Sequence, residues 1–159
     1  MSRLESMQRR ISAQIDGINW AAQEISGLEG DVLELGLGNG RTYDHLREVL
    51  PGRRIFVVDR VLQPHPSCLP PEELFLLGEG LEVLPALARK GQQFALVHYD
   101  FGRGIKADDV AEGAEMSQWI AKIMLSGGLV MSQQPLIGFQ TLRGPVTVDP
   151  DRYHFYRAG

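Results

Sequence analysis

The sequence predicts a doubly wound α/β fold, a mostly parallel sheet with helices on both faces. Three observations carry this. Short apolar runs alternate with amphipathic stretches of helical period along the chain, the pattern of βαβ units. Several of those runs (DVLELGL, RIFVVD, FALVHY) are apolar at nearly every position, as strands covered on both faces must be. Glycines or prolines punctuate the ends of the elements.

The elements follow in order. Leu4, Met7, Ile11, Ile15, Ile18, Ala22 and Ile25 recur at spacings of three and four, which predicts a helix over 3–26 with a stop at Gly27. A strand is expected over 31–37, a helix over 41–50 closed by Pro51-Gly52, and a strand over 54–59. A proline-bearing loop (Pro64, Pro66, Pro70, Pro71) leads to a short strand at 74–77 and a helix at 81–89. The strand 94–99 precedes a helix from about 109 to 125, with Asp108 as its N-cap and Gly127 as its stop. A fifth strand is expected at 129–132, and a closing antiparallel pair at 139–142 and 153–157. Strands alternating with helices imply right-handed crossovers and a parallel sheet, with an expected strand order of 3-2-1-4-5 plus that pair.

Length and composition narrow the functional classes. The chain has 159 residues, suited to one domain over 1–159, with 43% hydrophobic and 23% charged residues. No apolar run reaches the roughly 20 residues that span a bilayer, and the charged start MSRLESMQRR lacks the apolar core of a signal peptide. One cysteine, Cys68, allows no intrachain disulfide, so a cytoplasmic location is expected. A net charge of −4 argues against a nucleic-acid partner. Arg47, Arg53, Arg54 and Arg60 cluster in sequence and are read as solvated positions around one helix and strand.

Ligands of such sheets bind beyond the carboxyl ends of the strands, which directs attention to residues 36–40, 59, 78–80, 100 and 133–134. The turn Glu34-Leu35-Gly36-Leu37-Gly38-Asn39-Gly40 joins the first strand to a helix, and its glycines let the backbone approach a ligand. Its third glycine comes one residue earlier than in the G-x-G-x-x-G turn of dinucleotide sites. A carboxylate at Glu34 would repel pyrophosphate and attract a cationic amino group or a sulfonium. S-adenosylmethionine has both cations and no phosphate.

ELGLGNG resembles motif I of the class I S-adenosylmethionine-dependent methyltransferases, (D/E)-x-G-x-G-x-G, at every defined position. The resemblance implies that Glu34, Gly36, Gly38, Asn39 and Gly40 surround the methionine part of the cofactor. Asp59, 19 residues beyond Gly40, stands where that family has the acid that holds both ribose hydroxyls, with Arg60 beside it. Gly78-Glu79-Gly80-Leu81-Glu82-Val83-Leu84-Pro85 is similar to the stretch G-D-A-x-x-x-L-P, whose acid meets the adenine amino group, with Glu79 in place of the usual aspartate. Asp100 matches the acid of motif IV, near amino group and substrate, and is the candidate base.

No Asn-Pro-Pro-Tyr or Asp-Pro-Pro-Tyr follows the fourth strand, which disfavours the amino-methylating DNA and glutamine enzymes as templates. Gln133 and Gln134 stand where a magnesium-dependent relative would have a further acid, so no metal is expected. The expected function is methyl transfer to a small-molecule acceptor. A non-catalytic cofactor-binding module and an NAD-dependent oxidoreductase are the alternatives. Without an inserted substrate domain, a homo-oligomer could help cover the site through the apolar face of the first helix, or that face could simply pack on its own sheet. Trp20 could roof the acceptor, although an aromatic on an amphipathic helix is more often core; Tyr43 could touch cofactor or pack, and Trp119, His98 and His154 read as structural.

Overall fold

The computed structural model describes residues 1–159. Its helices are α1 (Arg3–Glu24), α2 (Arg41–Val49), α3 (Gly80–Arg89) and α4 (Lys106–Lys122). Its strands are β1 (Asp31–Leu35), β2 (Ile55–Asp59), β3 (Phe75–Leu77), β4 (Phe94–Tyr99), β5 (Met124–Ser132), β6 (Gln140–Leu142) and β7 (His154–Arg157). One seven-stranded sheet runs in the order β3-β2-β1-β4-β5-β7-β6. The first five strands pair in parallel, and β7 joins β5 and β6 antiparallel. The expected order and closing pair are therefore present.

Strand alternation divides the core into two layers. Val32, Val57, Leu96, Leu129, Met131 and Phe155 meet Ile18, Ala21 and Ile25 of α1 and Leu46 of α2. On the other face Leu33, Leu35, Val58, Val97, Tyr99 and Val130 meet Leu84 and Leu87 of α3 and Met116 and Ile120 of α4. Glu34 and His98 are adjacent across the β1–β4 ladder and are fully buried. The helix α1 begins in a capping box: Ser2 Oγ accepts from the Glu5 amide, and the Glu5 carboxylate accepts from the Ser2 amide.

The largest departures from expectation lie around α4 and β5: α4 ends at Lys122 and β5 begins at Met124, against an expected helix to 125 and a strand from 129. The helix α4 starts at Lys106, so Asp108 lies in its first turn and is not the cap. The buried neighbour Asp109 instead accepts from the amides of Arg103 and Gly104, at 2.8 and 3.1 Å, and braces the loop leading in. Gly127 (φ +78°) ends no helix; it sits inside β5, where the register against β4 slips between Phe94↔Met124 and Leu96↔Leu129. An irregular strand needs a left-handed residue as much as a helix end does, and sequence alone does not separate the two uses.

The arginines that cluster in sequence disperse in space. Arg47 pairs with Asp44, Arg54 with Asp31 and Arg60 with Glu79, while Arg53 donates to the carbonyls of Gly30 and Ile25. No helix is long and apolar enough to cross a membrane.

Candidate active site

β1 delivers the chain into the turn 36–40, where Gly36, Gly38 and Gly40 take φ of +98°, +52° and +91°. Side-chain-bearing residues rarely adopt this region. Space is as limiting as torsion: a Cβ on Gly36 would lie 3.0 Å from the Asp100 carbonyl, and one on Gly40 would lie 2.5 Å from the Cys68 Cβ. At Gly38 it would meet nothing within 4 Å, because that position faces open space.

That space is a cavity of about 580 Å³ beyond the carboxyl ends of the parallel strands. The turn 36–40 lines it with Asp59 and Arg60 from the end of β2, Glu79 and Gly80 from the start of α3, and Asp100 from the end of β4. Asp59 Oδ2 accepts from the amides of Leu37 and Gly38, at 2.8 and 3.1 Å, and its Oδ1 accepts from the Arg60 amide at 2.7 Å. With two donors on Oδ2 and one on Oδ1, Oδ1 keeps capacity for a further donor. Arg60 lies 3.7 Å from Glu79, linking the β2 and β3 sides of the cavity. Asp100 accepts from Arg10 (3.4 Å), Gln14 (3.3 Å) and the Tyr153 hydroxyl (3.4 Å).

Of the sequence candidates, Glu34 and Gly78 do not line the cavity. Strand alternation sends the Glu34 side chain beneath α1 and α2, where its Oε1 meets His98 Nδ1 at 2.6 Å. Its Oε2 has no hydrogen-bond partner. Burial raises the Glu34 pKa, against the charge and hydrogen bond of His98. For His98, burial pulls downward, but the Glu34 charge and hydrogen bond outweigh it and the pKa rises. The motif I carboxylate is thus held by an imidazole under the turn.

Residues that the sequence reading passed over supply much of the remaining wall. The first half of α1 contributes Arg3, Met7, Arg10, Ile11 and Gln14, and Arg103, Glu112 and Arg152 close other sides. The only sequence signal for α1 was its apolar period, which does not say how far along the helix the packing continues. Trp20 is half-buried and packs against the core, edge-on to Phe155 at 5.1 Å, the more common place for an aromatic on an amphipathic helix. Tyr43 is buried in the same core beside Leu46.

A second space of about 510 Å³ opens from the first, sharing Arg10, Asp100, Gly102 and Arg152. Lys106, Asp109, Gln133, Gln134, Asp149 and Asp151 are also in its wall, which contains no hydrophobic residue.

This geometry agrees with the comparisons. The family described as S-adenosyl-L-methionine methyltransferase matches residues 1–158. An S-adenosyl-L-methionine methyl transferase from Silicibacter pomeroyi is similar, with 35% identity and a TM-score of 0.94 over 100% of this chain and 99% of that one. Human methyltransferase-like protein 13, solved with S-adenosylhomocysteine (SAH), shares the fold at 14% identity and a TM-score of 0.53, over 77% of this chain and 62% of that one. The plantazolicin methyltransferase BpumL, also solved with SAH, shares it at 10% identity and 0.50, over 82% and 49%. No curated protein matches the chain. The chain belongs to the S-adenosyl-L-methionine methyltransferase family, and its cofactor is S-adenosyl-L-methionine.

Proposed function

We propose that the chain methylates a small, hydrophilic acceptor held in the second space, beside the cofactor cavity. The observation that carries this reading is the wall of that space, which offers charges and amides but no hydrophobic residue. Ligand sites for rings or alkyl chains are lined mainly by hydrophobic and aromatic side chains. Lys106 and Arg152 form no ion pair, so cationic groups there remain available to an acceptor.

The residues fit the cofactor. Gly38 opens onto the cavity without a side chain. Asp59 Oδ1 keeps an acceptor site for a ribose hydroxyl, and Glu79 lies on the side where the adenine edge would fall. Asp100, on the cavity wall at the end of β4, would meet the ammonium group. The turn also disfavours a dinucleotide, because Asp59 occupies the amides of Leu37 and Gly38 and brings negative charge where phosphate would need donors.

When bound, S-adenosyl-L-methionine supplies a methyl group already activated on a sulfonium. The protein's task is then mainly alignment of acceptor and cofactor. Asp100, shared by both spaces, is the group in reach to take a proton from a hydroxyl or ammonium nucleophile. We also propose that a second copy covers the exposed start of α1, and that the protein works in the cytoplasm.

Calorimetric titration with SAH and with NAD tests the reading. SAH should bind saturably and NAD weakly or not at all; the reverse would remove the methyltransferase assignment. A panel of small hydrophilic amines, acids and alcohols, assayed for SAH release, separates an enzyme from a module that only binds cofactor. Turnover with aromatic acceptors alone would refute the assignment of the second space.

A further inference from the structure

A continuous polar path runs from beneath the glycine turn to the cavity wall. Glu34 Oε1 meets His98 Nδ1 at 2.6 Å, His98 Nε2 meets the Tyr153 hydroxyl at 3.3 Å, and that hydroxyl meets Asp100 Oδ1 at 3.4 Å. Gln14 Nε2 braces the outer end, donating to Asp100 Oδ2 and to the Tyr153 oxygen, each at 3.3 Å. Glu34, His98 and Tyr153 are all but inaccessible to solvent. An apolar replacement for such a buried pair is often as stable or more so, which gives the retained path a claim to a role in the site.

Counting protons shows what the path can do. Ionised Glu34 only accepts, so His98 Nδ1 carries a hydrogen toward it. If His98 is also protonated at Nε2, it donates to the Tyr153 oxygen, and the single phenolic proton points at Asp100. If Nε2 is bare, it takes the phenolic proton, and the Tyr153 lone pairs face Asp100 instead. Asp100 then loses a donor and the nearby positive charge, and it becomes a stronger base and a better partner for a cation.

We propose that Tyr153, His98 and Glu34 are positioning residues for Asp100, and that the Tyr153 hydroxyl reports the proton state of His98 to the cavity. This rests on the assignment of Asp100 to the cofactor's ammonium group, which SAH retains. The charged and titratable groups facing His98 are Glu34 on β1, Asp100 at the end of its own strand, Tyr153 from the segment before β7 and Arg10 from α1. Thr42 of α2 faces the Glu34 carboxylate. The Glu34 contact favours the protonated imidazole, which places the exchange above the ordinary histidine range.

The test is SAH affinity by calorimetry across about pH 5 to 9, with the His98 ring followed by NMR in the same full-length protein. Wild type should bind SAH more tightly as pH rises, on the order of fivefold or more, with the inflection at the His98 titration midpoint. Tyr153→Phe should still bind SAH and still show His98 titrating, but the change in affinity at that inflection should shrink to what the through-space charge of His98 alone supplies. His98→Gln, with a fixed proton count, should be flat; it serves as the second comparison if the phenylalanine variant fails to fold by circular dichroism. An unchanged inflection in either folded variant, a flat wild-type profile with SAH bound, or a His98 that does not titrate over this range overturns the proposal. Absence of SAH binding at every pH would instead refute the cofactor assignment of the cavity, and this proposal with it.

Discussion

The carboxylate of Asp59 accepts the amide hydrogen of Leu37 at 2.8 Å, tying the end of β2 to the turn that follows β1. A second bond from Gly38 makes the same oxygen a clamp on the glycine loop. The acid expected to hold ribose therefore also holds the backbone that shapes the cavity.

Asp59→Ala should consequently lower both ligand affinity and stability. Hydrogen bonds to a charged group contribute about 1.5 to 3 kcal/mol each. SAH affinity should fall at least about tenfold, and the melting temperature should fall as well. Asp59→Asn, which keeps an acceptor oxygen, should recover part of the stability but less of the affinity. Calorimetry and thermal unfolding on the two variants check this.

Gly38→Val should abolish SAH binding while leaving a folded protein. The new side chain meets no protein atom near its Cβ and projects into the cavity. Its left-handed backbone (φ +52°) costs about 1 to 2 kcal/mol, which lowers the melting temperature by roughly 2 to 8 °C. Circular dichroism with titration distinguishes blockage from unfolding.

The Glu34–His98 pair predicts stability that falls as pH rises. Both groups have pKa values raised in the folded chain. The folded state thus binds more protons than the unfolded state, and this contribution is full below the unfolded values. It declines above about 4.5 for Glu34 and above about 6.5 for His98, and is lost once pH passes the folded value of each. His98→Ala leaves Glu34 buried without its partner and should cost about 3 to 5 kcal/mol at neutral pH. The cost should shrink in acid, where Glu34 takes up a proton. Urea unfolding of both proteins at several pH values measures the difference.

Self-association is expected through the start of α1, where Leu4, Met7, Ile11 and Ile15 are 78%, 58%, 38% and 41% exposed. Such a stripe on one helix suits an α1–α1 contact between copies. Wild type should run as an oligomer in light scattering. Leu4→Glu with Ile15→Glu should shift it to monomer with stability changed by no more than about 1 kcal/mol, since each site is exposed. A monomeric wild type at high concentration removes the interface.

Much of the fold was legible because buried parallel strands write themselves as unbroken apolar runs; β4 matches its expected range, Phe94–Tyr99. The turn 36–40 and the acids at the strand ends were legible for a related reason, since topology fixes where ligands bind. Boundaries set by single side chains were not, as Asp109 shows: it braces the loop before α4 while its neighbour Asp108 has the sequence position of a cap. The place of Glu34 was missed for want of register. A carboxylate next to a glycine turn reads as a ligand contact until β4 is set beside β1 and His98 falls opposite it. Arg10 and Gln14 were missed because a period identifies the apolar face of a helix but not where the sheet beneath it stops.

The close seat of α1 has one further consequence. Gly17 lets the helix lie against Met131 and Phe155, where a Cβ would come within 2.5 Å of the Met131 Cε. Beyond this contact Ile18, Ala21 and Ile25 belong to the core, whereas Arg3, Arg10 and Gln14 before it form wall. One helix thus divides into an anchored segment and an overhanging one. Substitutions at the exposed wall positions Arg3 and Arg10 can reshape the cavity at little cost to folding, whereas Ala13, Gly17, Ile18, Ala21 and Ile25 are held by the core.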